Sequence, residues 1–154
     1  MVVLKISWEG FESLTSCLVE KIPKNGSEQI LCISSGGLVL GKLLSDRLSL
    51  PLSVISAKAY SKGKTEKEKE FRMGGIASLN EIKGNILLVD DLVDSGLTMK
   101  EIYKFLKKQN DVKEIKTAAI YVKPNSIFIP DYYVEQTDGW VIFPYEKNEF
   151  RDLK

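Results

Sequence analysis

The chain contains no histidine. That absence removes His-based triads, imidazole metal ligands and imidazole proton shuttles, so carboxylates, lysines and backbone must carry any chemistry. Cysteine is scarce as well. Cys17 and Cys32 are widely spaced and both lie in apolar patterns, which predicts buried free thiols in place of a disulfide or a metal site. No long apolar run and no secretory leader pattern occurs, so a soluble cytoplasmic protein without membrane contact is expected. Neither sign of charge dominates: 22 Lys and Arg against 21 Asp and Glu leave +1 over 154 residues. This balance gives no global drive toward nucleic acid, and a small charged metabolite is the easier partner. The chain has no Walker A lysine loop and no dinucleotide fingerprint. It also has no repeats or low-complexity linkers, and its length fits one domain spanning 1–154.

What the chain does have is concentrated between Ile86 and Thr98. Ile86 to Val89 is a short continuous apolar run behind the turn Lys83-Gly84-Asn85, the pattern of a buried parallel strand. Two carboxylates, Asp90 and Asp91, follow it, then Leu92-Val93 and Asp94-Ser95-Gly96-Leu97-Thr98. Leu97, Met99, Ile102, Phe105 and Leu106 fall near helical spacing, so a helix begins close to Gly96. Free N–H groups and the positive dipole end at such a start form a cradle for phosphate, to which Ser95 and Thr98 add hydroxyls. Asp90 and Asp91 stand at a strand's carboxyl end, where sugar hydroxyls or hydrated Mg²⁺ can be held. Singly, Asp94 would serve as a helix N-cap and the Asp pair as a solvated strand end. Three acids, a glycine and two hydroxyls at one joint favour a ligand.

The remainder alternates strand and helix. Phe11, Leu14, Leu18 and Ile22 space as a helix after Ser7 that stops before Pro23. Gln29 to Ile33 reads as a buried strand. Ser34-Ser35-Gly36-Gly37 then turns into a helix carrying Leu40, Leu43, Leu44 and Leu48; alone such a turn is usually only a tight turn, but beside the first joint it is a second candidate anion cradle. Leu52 to Ala57 and, weakly, Ile76 to Leu79 read as strands, as does Ile115 to Val122. Phe128 to Val134 is interrupted by Pro130, so any strand there is short or at an edge. The parallel α/β class follows. Ser61 to Arg72 is dense in charge and predicts an exposed mobile loop, with pairs such as Lys64–Glu68 and Glu66–Lys69.

The Ile86–Thr98 segment resembles the phosphoribosyl pyrophosphate signature of type I phosphoribosyltransferases: an apolar strand, two acids, two apolar residues, then Asp-Ser/Thr-Gly-x-Thr. The resemblance implies that family's fold, a central mostly parallel sheet flanked by helices, with a hood loop at about 60–75 and a small purine-recognition region at about 123–146. It implies the 5-phosphate in Asp94, Ser95, Gly96, Leu97 and Thr98, and the ribose and Mg²⁺ at Asp90 and Asp91. Pyrophosphate would lie on Ser34, Ser35, Gly36 and Gly37, a loop often cis in the family. Purine-type members often carry Arg or Lys where this chain has Ser35; that departure leaves a cationic pyrophosphate contact open, with the 61–72 segment one candidate source of a substitute. Lys123 before Pro124, with Trp140, Val141 and Ile142, resembles the base-binding elements of small 6-oxopurine enzymes: an ammonium for the ring oxygen, an indole for stacking, and main-chain groups for the 2-position. Asp94 is then the general acid/base. The implied substrates are phosphoribosyl pyrophosphate and guanine, xanthine or hypoxanthine. The implied products are pyrophosphate and the purine nucleotide, and the implied assembly is a homodimer or homotetramer. A transferase for another base, or a non-catalytic sensor of phosphoribosyl pyrophosphate, remains the alternative. The short N-terminus and neutral charge argue against a nucleic-acid-binding sensor.

Overall fold

The computed structural model describes residues 2–61 and 69–150. The middle of the charged segment, with the Lys64–Glu68 and Glu66–Lys69 pairs expected there, lies outside the described residues. The elements run β1 (Val3–Lys5), α1 (Trp8–Lys21), β2 (Gln29–Ser34), α2 (Gly37–Leu48), β3 (Leu52–Ser61), β4 (Lys69–Ala77), β5 (Gly84–Val89), β6 (Leu92–Val93), α3 (Leu97–Lys107), β7 (Val112–Val122), β8 (Tyr132–Gln136) and β9 (Trp140–Ile142), closing in a 3-10 turn, Pro144–Glu146.

Local chemistry sets the helix ends. Ser7 is extended and its hydroxyl accepts the Gly10 N–H at 3.0 Å, which starts α1. Ile22 precedes Pro23 and is driven out of the helical region, which stops it. Phe11, Thr15 and Leu18 point inward, and the Thr15 hydroxyl satisfies itself on the Phe11 carbonyl at 2.8 Å. Cys17 falls off that stripe and is exposed, so the expectation of two buried thiols holds for Cys32 alone. Burial pushes the Cys32 thiol up to about 11, with Asp90 adding to the shift.

The main sheet has the order β4-β3-β2-β5-β7-β6, with β8 also on β7. All its pairings are parallel except β3 with β4. Buried strands alternate between two cores. Ile30, Cys32, Leu87 and Val89 face Phe11, Leu18, Leu40 and Leu44 of α1 and α2. Leu31, Ile33, Ile86 and Leu88 face Met99, Ile102 and Leu106 of α3. Burial on both faces explains why these strands read as unbroken apolar runs. No helix among the described residues is long and apolar enough to cross a membrane.

The structure departs from the sequence reading at three places. Residues 69–75, expected within a loop, belong to β4, which pairs with an extended β3 from Val54↔Ala77 to Ser61↔Lys69. Here cross-strand pairing overrides the polar composition. The weak strand expected at Ile76–Leu79 is the end of β4, which stops at Ala77. β1 was not anticipated; it forms a separate two-stranded parallel sheet with β9. Pro130 has the effect expected of it: β8 starts only at Tyr132 and pairs with β7 alone.

Candidate active site

β2 and β5 are neighbours whose following helices lead in opposite directions: β2 crosses by α2 to β3, and β5 crosses by α3 to β7. Such a reversal leaves a crevice beyond the carboxyl ends of the two strands, the usual ligand position in open α/β sheets. Ser34–Gly37 and Asp90–Thr98 sit on its two sides. They can approach because two positions lack side chains. A Cβ on Gly37 would lie 2.8 Å from the Val89 carbonyl, and one on Gly36 would lie 2.7 Å from an Asp91 oxygen. The Ser34–Ser35 peptide bond is cis, and no side chain caps the start of α2.

The three acids differ. Asp90 Oδ1 accepts the Asp91 N–H at 3.0 Å. Asp91 is buried; its Oδ1 accepts the Leu92 N–H and its Oδ2 the Tyr145 hydroxyl, each at 2.7 Å. Burial, then the adjacent Asp91 charge, holds the Asp90 carboxyl well above the usual carboxylate range. Asp91 is also raised by burial, with the Tyr145 hydrogen bond opposing the shift. Asp94 is exposed and is not the helix cap: α3 starts at Gly96, φ 82°, with no side-chain cap. A side chain at Gly96 would meet the Ser126 hydroxyl at 2.4 Å as well as the strained dihedral. The uncapped first turn borders a small cavity of about 90 Å³ lined by Asp90, Asp94, Ser95, Gly96 and Thr98. Leu97 borders the base-side cavity instead, and its N–H is 3.4 Å from the Ser95 hydroxyl.

A second cavity of about 300 Å³ joins Ser34, Ser35 and Gly36 to Asp90, Asp91 and Asp94. Lys58 lines it and is the cation among the described residues there. The basic residue expected from the 61–72 segment falls largely outside the described residues. The register Ser34↔Ser56 lets β3 run past the end of β2 and carries Lys58 over the glycine turn. The signal was a lone lysine in an otherwise apolar and small-residue strand.

The third cavity, about 770 Å³, holds the base-side residues Lys123, Pro124, Trp140 and Val141 with Asp94 and Ser95. The Lys123 ammonium donates to the Gly139 carbonyl, leaving further N–H donors on the same group. Trp140 is 42% exposed, so it is a wall of the cavity and not core; its edge meets Phe150 at 5.8 Å. The main-chain pair separates. The Trp140 N–H bonds Val2 and the Ile142 carbonyl accepts the Ile6 N–H, so both face β1. By strand alternation the peptide groups of Val141 face the other way. Ile142 is buried and does not line the cavity. Glu146, unremarked in the sequence, does; its carboxyl is raised by burial and its Oε2 accepts the Phe143 N–H at 2.9 Å. The loop after β7 is tied to the phosphate side by the Ile127 N–H donating to the Ser95 carbonyl at 3.0 Å. Asp94 and Ser95 line all three cavities.

The chain is similar to known proteins. A model of the phosphoribosyl transferase domain matches residues 11–146. A xanthine-guanine phosphoribosyltransferase of Idiomarina loihiensis is 28% identical over 92% of this chain and 85% of its own. One from Gluconobacter oxydans is 34% identical over 76% of this chain and 67% of its own. The crystal structure of a purine phosphoribosyltransferase from Pyrococcus horikoshii superimposes with a TM-score of 0.81 at 30% identity, covering 94% of both chains. With the domain match spanning most of its length, the chain belongs to the phosphoribosyl transferase domain family.

Proposed function

We propose that the chain is a purine phosphoribosyltransferase of the cytoplasm that moves the 5-phosphoribosyl group of phosphoribosyl pyrophosphate onto N9 of a 6-oxopurine. The observation that carries this reading is the meeting of three cavities at Asp94 and Ser95. The smallest suits a 5-phosphate on the uncapped turn of α3. The second suits pyrophosphate, between the amides of Ser35–Gly37 and the ammonium of Lys58. The largest suits a flat heterocycle against Trp140, with Lys123 for the 6-oxo group and the Val141 peptide for the 2-position. The relatives named for purine, xanthine and guanine point to the same base class.

In this reading the C1–pyrophosphate bond breaks as N9 bonds to C1 from the opposite face. Asp94 exchanges a proton near N7. The oxygens of Asp90 and Asp91 hold the ribose hydroxyls. The same hard oxygen donors fit Mg²⁺. A pair of adjacent carboxylates suits an ion held by one or two carboxylates and by substrate phosphates. When bound, that ion supplies charge neutralisation of the leaving pyrophosphate. The chain works as a dimer or tetramer.

The test is pyrophosphate release from phosphoribosyl pyrophosphate and Mg²⁺ with each nucleobase in turn. Release is expected with guanine, hypoxanthine or xanthine and not with adenine, uracil or orotate. Tight phosphoribosyl pyrophosphate binding with silence for every base would replace the enzyme with a sensor.

A further inference from the structure

Asp91 is 7% exposed, and a carboxylate so enclosed must find its donors within the protein. One is local, the Leu92 N–H on Oδ1. The other is the Tyr145 hydroxyl on Oδ2, from a residue 54 positions away in sequence. Gly36 packs against it, since even a Cβ there would meet Asp91 Oδ1 at 2.7 Å, and Asp91 still lines the cavity of about 300 Å³. These contacts set the carboxylate's orientation; the adjacent Asp90 carboxyl also bonds it, and Tyr145 is the side chain that reaches it from outside the acid pair.

The tyrosine is itself held. Its ring stacks on Phe143 at 5.4 Å with an interplanar angle of 6°, and stands edge-on to Phe11 at 5.5 Å. Its turn begins at Pro144 and is tied by Glu146, whose N–H donates to the Phe143 carbonyl at 3.0 Å while its Oε2 accepts the Phe143 N–H. The segment 140–146 thus presents two surfaces. Trp140, Val141 and Glu146 line the base cavity, while the Tyr145 hydroxyl reaches across to the acid pair.

We propose that Tyr145 is a positioning residue for the sugar subsite: its hydroxyl fixes the Asp91 carboxylate and so ties the base-reading strand to the acids that meet the ribose. The inference rests on the functional reading above for the identity of the ligand. Asp90 bonds the Asp91 N–H and side chain but neither Tyr145 nor Leu92; it is then the acid that adapts to ligand, and Asp91 the one that is set in advance.

Tyr145→Phe keeps every ring contact and removes only the hydroxyl; Asp91→Asn reads the same contact from the other end. Phosphoribosyl pyrophosphate with Mg²⁺, and separately hypoxanthine, are titrated calorimetrically into wild type, both single variants and the double variant. Y145F is expected to weaken phosphoribosyl pyrophosphate binding about tenfold, the scale of a hydrogen bond to a charged group, while hypoxanthine affinity changes less than about twofold. On the D91N background Y145F should add less than about twofold, because the two act as one unit. Unchanged phosphoribosyl pyrophosphate affinity in Y145F, equal losses for both ligands, or a full additional loss on D91N would each overturn the proposal. Pyrophosphate release by the wild type reports on the functional reading separately. Binding without turnover would sink that reading and leave this one standing.

Discussion

The two halves of the cleft are built from different materials. The sugar-phosphate half is largely backbone: the Ser34–Gly37 turn and the first turn of α3 meet the crevice as peptide groups, packed so closely that a Cβ on Gly36 or Gly37 would lie within 2.8 Å of the opposite wall. The base half is largely side chain, an indole, an ammonium and a glutamate around a cavity of about 770 Å³. Added atoms therefore damage the first half, and deleted atoms damage the second. Backbone amides also bind without a side-chain rotamer to freeze, whereas Lys123 and Glu146 must be held by the Gly139 carbonyl and the Phe143 N–H.

Asp94 stands where the halves meet, and its substitution should show the largest effect. Asp94→Asn is nearly isosteric, so both halves keep their shape and only proton exchange is lost. kcat should fall by about 10²–10⁴-fold, with phosphoribosyl pyrophosphate binding little changed. Steady-state pyrophosphate release and calorimetry read the two numbers. Unchanged turnover would remove Asp94 from the mechanism. Trp140→Ala tests the base half alone. Loss of stacking is worth about 1–3 kcal/mol per base, which predicts a purine KM raised about 5- to 150-fold with phosphoribosyl pyrophosphate binding intact. Loss of affinity for both substrates would mean that the halves are not separable.

The same contrast decides what the sequence discloses. The acids and the α3 cradle of the sugar-phosphate half are contiguous: one strand, one loop and one helix start contain Asp90, Asp91, Asp94 and that cradle, so spacing is informative. Parallel strands buried on both faces made β2, β5 and β7 equally plain. The base half comes from segments near 92–97, 123–127 and 138–150, and its shape depends on how β9 docks on β1, a pairing between chain ends that no local pattern encodes. That pairing turns the Ile142 carbonyl toward Ile6 and leaves Val141 facing the other way. Tyr145 was hidden for the same reason, since nothing local links it to Asp91. The loop expected at 69–75 failed differently: its charge is real, but a strand paired on one side in a hairpin tolerates charged residues.

Lys58 is the exception within the backbone half, a side chain doing what backbone does elsewhere, and it should show the smallest effect. It lies in a solvent-reached cavity beside three carboxylates. Its attraction for pyrophosphate is therefore screened by water and shared with any bound cation. Lys58→Met keeps much of the stem and removes the charge. It should raise KM for phosphoribosyl pyrophosphate and the inhibition constant for pyrophosphate together, by about tenfold, and leave the purine KM unchanged. Lys58→Arg should recover most of the loss, because the need there is for a donor cation and not for a particular shape. The deficit of K58M should also shrink as salt is raised toward 1 M, where exposed charges are screened within about 3 Å. In the proposed site the other contacts with the leaving group come from amides, which keep their position at any ionic strength. A deficit independent of salt, or a rise in the purine KM, would show that Lys58 holds the β3 wall in shape, and the proposed pyrophosphate contacts would then rest on backbone amides.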